Sequence, residues 1–321
     1  YDRVVSVIGN SHFHLDAVEY QKTKGGPCLI HDNRLFDFYL VKLGASNFIK
    51  QAQNWLKMDI DGEDLHRWIS NPETLPGSFF NELIPNAHPL IVHSKGIQKE
   101  IIQQYATTAK YLPFCIMNHF KNDELTNENR LRIKNYLKLR DDKFIVSTFG
   151  YVADNKAPVE CIYAINQLLR WGIPAELHFV GSSELVKDTL YPLIKDLHIE
   201  NSVIFTRDWL SNDHYKDYLI ASDYAIQLRT HHLGGLSGAL LDTISAGLPT
   251  IVNKDLADAM SCPEYISQVP DALSSVLIAE AIADGYETQK HTKRISKERN
   301  SYINKFSFKN YAKTLIQILE L

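Results

Sequence analysis

Apolar residues along the chain fall into short β-rich runs, separated by longer stretches in which they recur every three or four positions. The runs "RVVSVIG", "PCLIHD", "PLIVHS", "KYLPF", "KFIVSTFG", "AELHFVG", "SVIFTRD", "DYAIQLR", "LPTIVN" and "YISQV" predict strands. Many of them are apolar at successive positions, which predicts sheets covered on both faces. Strands alternating with amphipathic helices predict parallel sheets and crossover helices, an α/β fold. The stretch "PVECIYAINQLLRWG" is the clearest helix: Pro158 opens it, Val159, Ile162, Ile165 and Leu169 recur at helical spacing, and Gly172 stops it.

One segment breaks the rhythm. Residues 122–143, "NDELTNENRLRIKNYLKLRDDK", are highly charged with only a modest apolar stripe. A domain boundary is expected near it, giving a first Rossmann-like domain over 1–135, a second over 136–290 and C-terminal helices over 291–321. In the tail, Tyr311, Leu315 and Ile318 share a helical face and predict a last packed helix.

Length agrees with this division, since 321 residues suit two domains of roughly 100 to 200 each. With 45% hydrophobic and 22% charged residues and a net charge of −4, the composition is that of an ordinary globular protein and implies no polyanion-binding surface, so no nucleic acid partner is expected. Cys28, Cys115, Cys161 and Cys262 are far apart and read as buried thiols. No apolar run approaches a membrane span and the first residues lack a signal-peptide pattern, so the expected location is the cytoplasm.

In doubly wound α/β sheets, ligands bind beyond the carboxyl ends of the strands. "KFIVSTFG" ends in Gly150, and Lys156 follows just before the helix at Pro158. Glycine allows close backbone approach and lysine adds charge to a helix start, so the pair suits a phosphate; a tight turn with a solvated lysine is the alternative. "DYAIQLR" ends in Arg229, and the loop beyond it carries His231, His232, Gly234 and Gly235 to the helix cap Ser237. Amides at that helix start beside Arg229 suit a diphosphate, whereas the histidines read equally well as a solvated loop. Asp242 lies one turn into the helix, either as an acceptor for ribose hydroxyls or as an exposed helix acid. In the first half, His12, His14, His31, Asp32 and His93 all fall at or near strand ends, where imidazoles can bond sugar hydroxyls or phosphate.

Other patterns fail their tests. "MDIDGED" holds Asp59, Asp61 and Asp64, but it lies outside a strand end and its Gly62 is misplaced for a calcium loop, so no metal is expected there. The histidines lack zinc-hydrolase spacing, no Gly-x-Ser-x-Gly elbow occurs, and the first strand is not followed by the dinucleotide fingerprint.

The ordered segments "STFGYVADNKAPVECIYAINQL", "AELHFVGSS", "VIFTRDWLSNDHYKDYLIASDYAIQLR" and "GGLSGALLDTISAGLPTIVN", over residues 145–253, resemble the donor-binding domain of GT-B glycosyltransferases, specifically the retaining family 4. The first half resembles the acceptor-side domain through "IGNSHFH", "LIHD" and "LIVHSKGIQKEI". In such enzymes the "GNS" segment follows several earlier strands, which implies an incomplete acceptor-side domain, through lost upstream sequence or as an unusually short variant.

The resemblance implies two Rossmann-like domains facing a cleft. It assigns Lys156, Arg229, Gly150, Ser237 and Gly238 to a donor diphosphate, Asp242 to the ribose by position, and Arg207 and Trp209 to the base. His31 matches a histidine facing the donor sugar, with His14, His93 and His232 as further sugar- or acceptor-facing candidates and Lys156, Arg229 and His31 as the catalytic set. One departure stands out: Gly235 occupies the place of a glutamate that normally faces the reacting centre, and Thr243 that of a second.

The activity so implied is a metal-independent, retaining hexosyl transfer from a UDP- or GDP-sugar to a saccharide or glycolipid hydroxyl. The nucleotide sugar is a co-substrate and no cofactor is expected. A lipid-linked acceptor would bring the protein to the cytoplasmic face of a membrane. The competing reading is a catalytically impaired binding subunit that supports a partner enzyme; an epimerase or phosphorylase of the same fold is a third.

Overall fold

The structure is a computed structural model and describes residues 4–182, 187–206, 210–230, 235–288 and 294–320. The chain forms two compact units. Among the described residues, unit 1 comprises 4–114, 235–236 and 311–320, and unit 2 comprises 115–230 and 237–310.

Unit 1 holds a parallel sheet of β1 (Ser6–Ile8), β2 (Gly26–Ile30), β3 (Ala87–Val92) and β4 (Lys110–Tyr111), paired in chain order. Alternation along the strands decides the two faces. Cys28, Ile30, Leu90 and Val92 join Phe36, Phe38, Phe48 and Phe79 in one core, while Leu29 and Ile91 point the other way, onto Leu112 and Leu319. Tyr311, Leu315 and Ile318 of the last helix (Phe308–Ile318) cover that second face, as their spacing predicts.

Unit 2 holds β5 (Phe144–Phe149), β6 (Ala175–Val180), β7 (Val203–Phe205), β8 (Tyr224–Gln227), β9 (Thr250–Asn253) and β10 (Ser267–Val269), all parallel. Their order is β10-β9-β8-β5-β6-β7. Every residue of β5, β6, β8 and β9 is buried, polar ones such as Ser147, Glu176, His178 and Gln227 included, as in a sheet covered on both faces. Phe144, Val146, Leu177, Phe179, Tyr224 and Ile226 line one core; Ile145, Phe149, Val180 and Ala225 line the other. The helix Pro158–Arg170 buries Cys161, Ile162, Ile165 and Leu168, so its inward stripe is shifted slightly from the expected one and Val159 is exposed.

The order also separates the units. Strands β5 to β7 step outward in one direction and β8 to β10 in the other, so the winding reverses between β5 and β8. Unit 1 has no such reversal among its described strands, so the doubly wound pattern expected of both halves holds for unit 2.

The polar segment folds differently from its expected role. Residues 115–135, read from sequence as part of the first domain, belong to unit 2. Phe120, Leu125 and Ile133 enter its second core, and Arg130 and Lys134 pair with the buried Asp223, which also accepts the Ile145 amide at 2.8 Å. Residues 297–305 belong there too: the buried Arg299 donates to the carbonyls of Ser245 (2.8 Å) and Phe120 (3.1 Å), and Tyr302 donates to the Met260 carbonyl. Among the described residues no helix is long and apolar enough to cross a membrane.

Candidate functional site

The reversal between β5 and β8 marks where a doubly wound sheet such as that of unit 2 takes a ligand, beyond the carboxyl ends of these two strands. Both cations singled out from sequence lie there. Beyond β5, Gly150 takes φ +84°, a conformation open to glycine, and a short turn, Asp154–Lys156, brings the lysine back under the strand end. Lys156 Nζ donates to the Phe149 carbonyl at 3.1 Å, and a Cβ on Gly150 would lie 3.1 Å from that nitrogen. Gly181, at the end of β6, closes in from the side: a Cβ there would fall 2.4 Å from the Gly150 carbonyl oxygen.

Beyond β8, Arg229 is held at its backbone and along its side chain. Its amide donates to Asn253 Oδ1 at 2.9 Å, its Nη1 to the Leu228 carbonyl at 2.8 Å, and the next amide, Thr230, reaches back to the Asn155 carbonyl at 3.0 Å. Asn253 is itself fixed by a bond to Asp271 at 2.7 Å. Burial lowers the Arg229 guanidinium to about 10 and, with Arg229 as a second cause, the Lys156 amine to about 7. No ion pair joins either cation to a carboxylate among the described residues.

The helix Gly238–Ser245 starts as its sequence predicts. Ser237 caps it, its Oγ accepting from Leu240 N at 3.1 Å and its carbonyl from Leu241 N at 3.2 Å. Among the described residues, the Gly238 and Ala239 amides have no acceptor, and Gly238 is exposed. They present two donors and the positive end of a helix dipole. A Cβ on Gly235 would meet nothing within 4 Å.

Asp242 is buried rather than an exposed helix acid. Tyr215 donates to its Oδ2 at 3.1 Å and Asn118 bonds it through side chain and backbone; burial nonetheless lifts the carboxyl to about 6. Part of its acceptor capacity is therefore taken within the protein. Arg207, Trp209 and His232 lie outside the described residues, as do His231 and Asp208.

Unit 1 gathers the other candidates at the carboxyl ends of its strands. His31, after β2, and His93, after β3, stand 5.6 Å apart edge to face, and Phe114 packs on both rings. His31 is exposed; His93 is buried, bonded to the Leu112 carbonyl at 2.8 Å, and its basicity is lowered by burial. His14 turns back to the Val7 carbonyl at 3.1 Å, and a Cβ on Gly9 would sit within 2.9 Å of both His14 and Asp32. Asp32 Oδ2 accepts from the Asn10 amide at 2.6 Å, while the Asn10 side chain bonds Asp37 and the Phe38 amide. Asp61 and Asp64, in the segment without expected metal, form a reciprocal capping box for the helix Gly62–Ser70.

Sequence reasoning missed the supports of this chemistry: Asn253 and Asp271 behind Arg229, Tyr215 and Asn118 around Asp242, and Arg34, which interacts electrostatically with Asp37 and Asp32. Asn253 alone left a trace, as the polar residue closing the run "LPTIVN".

No protein-family model matches the chain, and no curated protein matches it. Solved structures do. The Anabaena protein HepE in complex with UDP-glucose aligns over 98% of this chain and 78% of its own, with TM-score 0.67 and 15% identity. A glycosyltransferase from Rickettsia africae ESF-5 aligns over 98% of this chain and 97% of its own, with TM-score 0.64 and 12% identity. This chain has the GT-B glycosyltransferase fold. WaaG, a glycosyltransferase involved in lipopolysaccharide biosynthesis, shares the GT-B fold over 96% of this chain and 81% of its own, with TM-score 0.62 and 13% identity. At such identities the likeness is one of GT-B architecture, and the chemistry rests on the residues at the strand ends.

Proposed function

We propose that the protein is a glycosyltransferase that moves a sugar from a nucleoside diphosphate to a saccharide or glycolipid hydroxyl. The observation that carries this reading is the pair Lys156 and Arg229, placed at the winding reversal and without a carboxylate partner among the described residues, together with the Gly238 and Ala239 amides, which find no acceptor among them. As the bond from the anomeric carbon to the diphosphate breaks and the bond to the acceptor oxygen forms, negative charge grows on the departing diphosphate. Two cations and two amides aimed at that charge stabilise the transition state without a metal ion. Retention at the anomeric carbon follows from the family 4 resemblance. The HepE complex with UDP-glucose supports a nucleotide-sugar donor on this fold. The histidines of unit 1, His31 foremost, are assigned to the sugar and acceptor, with His14 and His93 shaping their surroundings.

Calorimetry with UDP, GDP and ADP and their sugars, followed by donor hydrolysis assays, tests the reading. At least one nucleotide binds the wild type, Lys156→Ala and Arg229→Ala weaken that binding with the fold retained, and each lowers turnover by roughly 10² to 10³. Unchanged affinity in both variants removes them from the site.

The second reading, a binding subunit that supports a partner enzyme, is favoured by Gly235, which offers no side chain to a reacting centre. Nucleotide binding without turnover, across candidate acceptors, would select it.

A further inference from the structure

Lys156 and Arg229 are two cations at one strand reversal, and among the described residues Lys156 has no carboxylate partner. An ammonium has three N–H donors. Lys156 Nζ places one on the Phe149 carbonyl at 3.1 Å and makes no other hydrogen bond or ion pair within the described residues. The end of β5 supplies a glycine and a carbonyl, the end of β6 supplies Gly181, and the end of β8 supplies the Arg229 guanidinium. On its own turn stands the exposed Asp154, and on the helix that follows stands Glu160; neither pairs with it. A charged amine here is partly desolvated, has no anionic partner among the described residues and faces a like charge.

The guanidinium and the amine respond differently. Arg229, at about 10, keeps its proton at neutral pH, whereas Lys156, at about 7, is the group that gives way. A diphosphate reverses the balance, because it brings negative charge to within bonding distance of both.

We infer that Lys156 is largely a neutral amine above neutral pH before the donor binds, and that it takes one proton from solvent when a diphosphate arrives. The nitrogen lone pair forms the new N–H bond, water or buffer gives up the proton, and the ammonium so formed steadies the leaving diphosphate. Its charge therefore arrives with the substrate instead of being stored in the fold. This rests on the donor-site reading above. It adds a pH dependence that a permanently charged cation would lack: above pH 7, donor affinity falls about tenfold per pH unit.

The test is calorimetry at pH 8 with UDP, GDP and ADP, and with inorganic pyrophosphate as a base-independent probe. Each is titrated in two buffers of different ionisation enthalpy. With the nucleoside diphosphates, which are fully ionised at pH 8, wild-type protein takes up most of one proton per ligand, while pyrophosphate reports binding alone. Lys156→Arg, permanently charged, binds with no such uptake and with affinity nearly flat from pH 7 to 9; Lys156→Met also loses the uptake, and circular dichroism confirms that both variants are folded. Binding by the wild type without proton uptake overturns the inference, as does uptake unchanged in both variants. Failure of all four probes to bind is a different result: it sinks the donor-site reading itself.

Discussion

Asp242 shows how one buried carboxyl can tie stability to pH. Its folded value is near 6, raised by burial against the opposing bonds from Asn118 and Tyr215, while an unfolded aspartate titrates near 3.9. The folded chain thus binds the proton more tightly, and between these values the native state holds more protons than the unfolded one. Stability is fully present below about pH 4 and falls as pH rises through 6, by on the order of 2–3 kcal/mol. Thermal melts from pH 4 to 7 should show this fall in the wild type and a flatter profile in Asp242→Asn; identical slopes would contradict it. Lys156 works in the opposite direction, since its lowered folded value makes the ligand-free protein gain stability as pH rises from 7 towards 10. Neither effect is legible in the sequence, where the spacing of Asp242 favours an exposed helix acid. Its burial depends on Tyr215 and Asn118, which come from other parts of the chain.

Among the elements, the helix Gly238–Ser245 is short and depends on its start. Ser237 is fully buried and satisfies the Leu240 amide, so Ser237→Ala should cost about 1 kcal/mol, read as a lowered Tm or denaturant midpoint. A loss no larger than that of an exposed Ser→Ala control would show that the cap does not hold the helix. This start was readable from local chemistry alone, because a cap and the glycine after it act within one turn. All ten expected strands form, because short β-rich runs bounded by turn residues mark a strand regardless of its partners. Their ends were less legible: β4 pairs over only Lys110–Tyr111, and β7 over Val203–Phe205, since pairing length is set by the neighbouring strand. The Gly150–Gly181 approach is likewise invisible without the register of β5 and β6.

At the scale of the whole molecule, the sequence conveyed the α/β class and the placement of Lys156 and Arg229 beyond strands, but not the strand order that makes their placement matter. The reversal between β5 and β8 depends on which strands neighbour each other, a tertiary choice. The extent of unit 2 was hidden for a related reason. The polar segment 122–143 reads as a domain boundary because the cations that anchor it, Arg130 and Lys134, meet their carboxylate at the distant Asp223. The central claim is that a nucleoside diphosphate binds at this reversal. A crystal structure with whichever of UDP, GDP or ADP binds most tightly tests it most directly. The account predicts the diphosphate within hydrogen-bond distance of Lys156 Nζ, the Arg229 guanidinium and the amides of Gly238 and Ala239. A nucleotide seated elsewhere, such as the cavity lined by Tyr224, Tyr265 and Gln268, would contradict it.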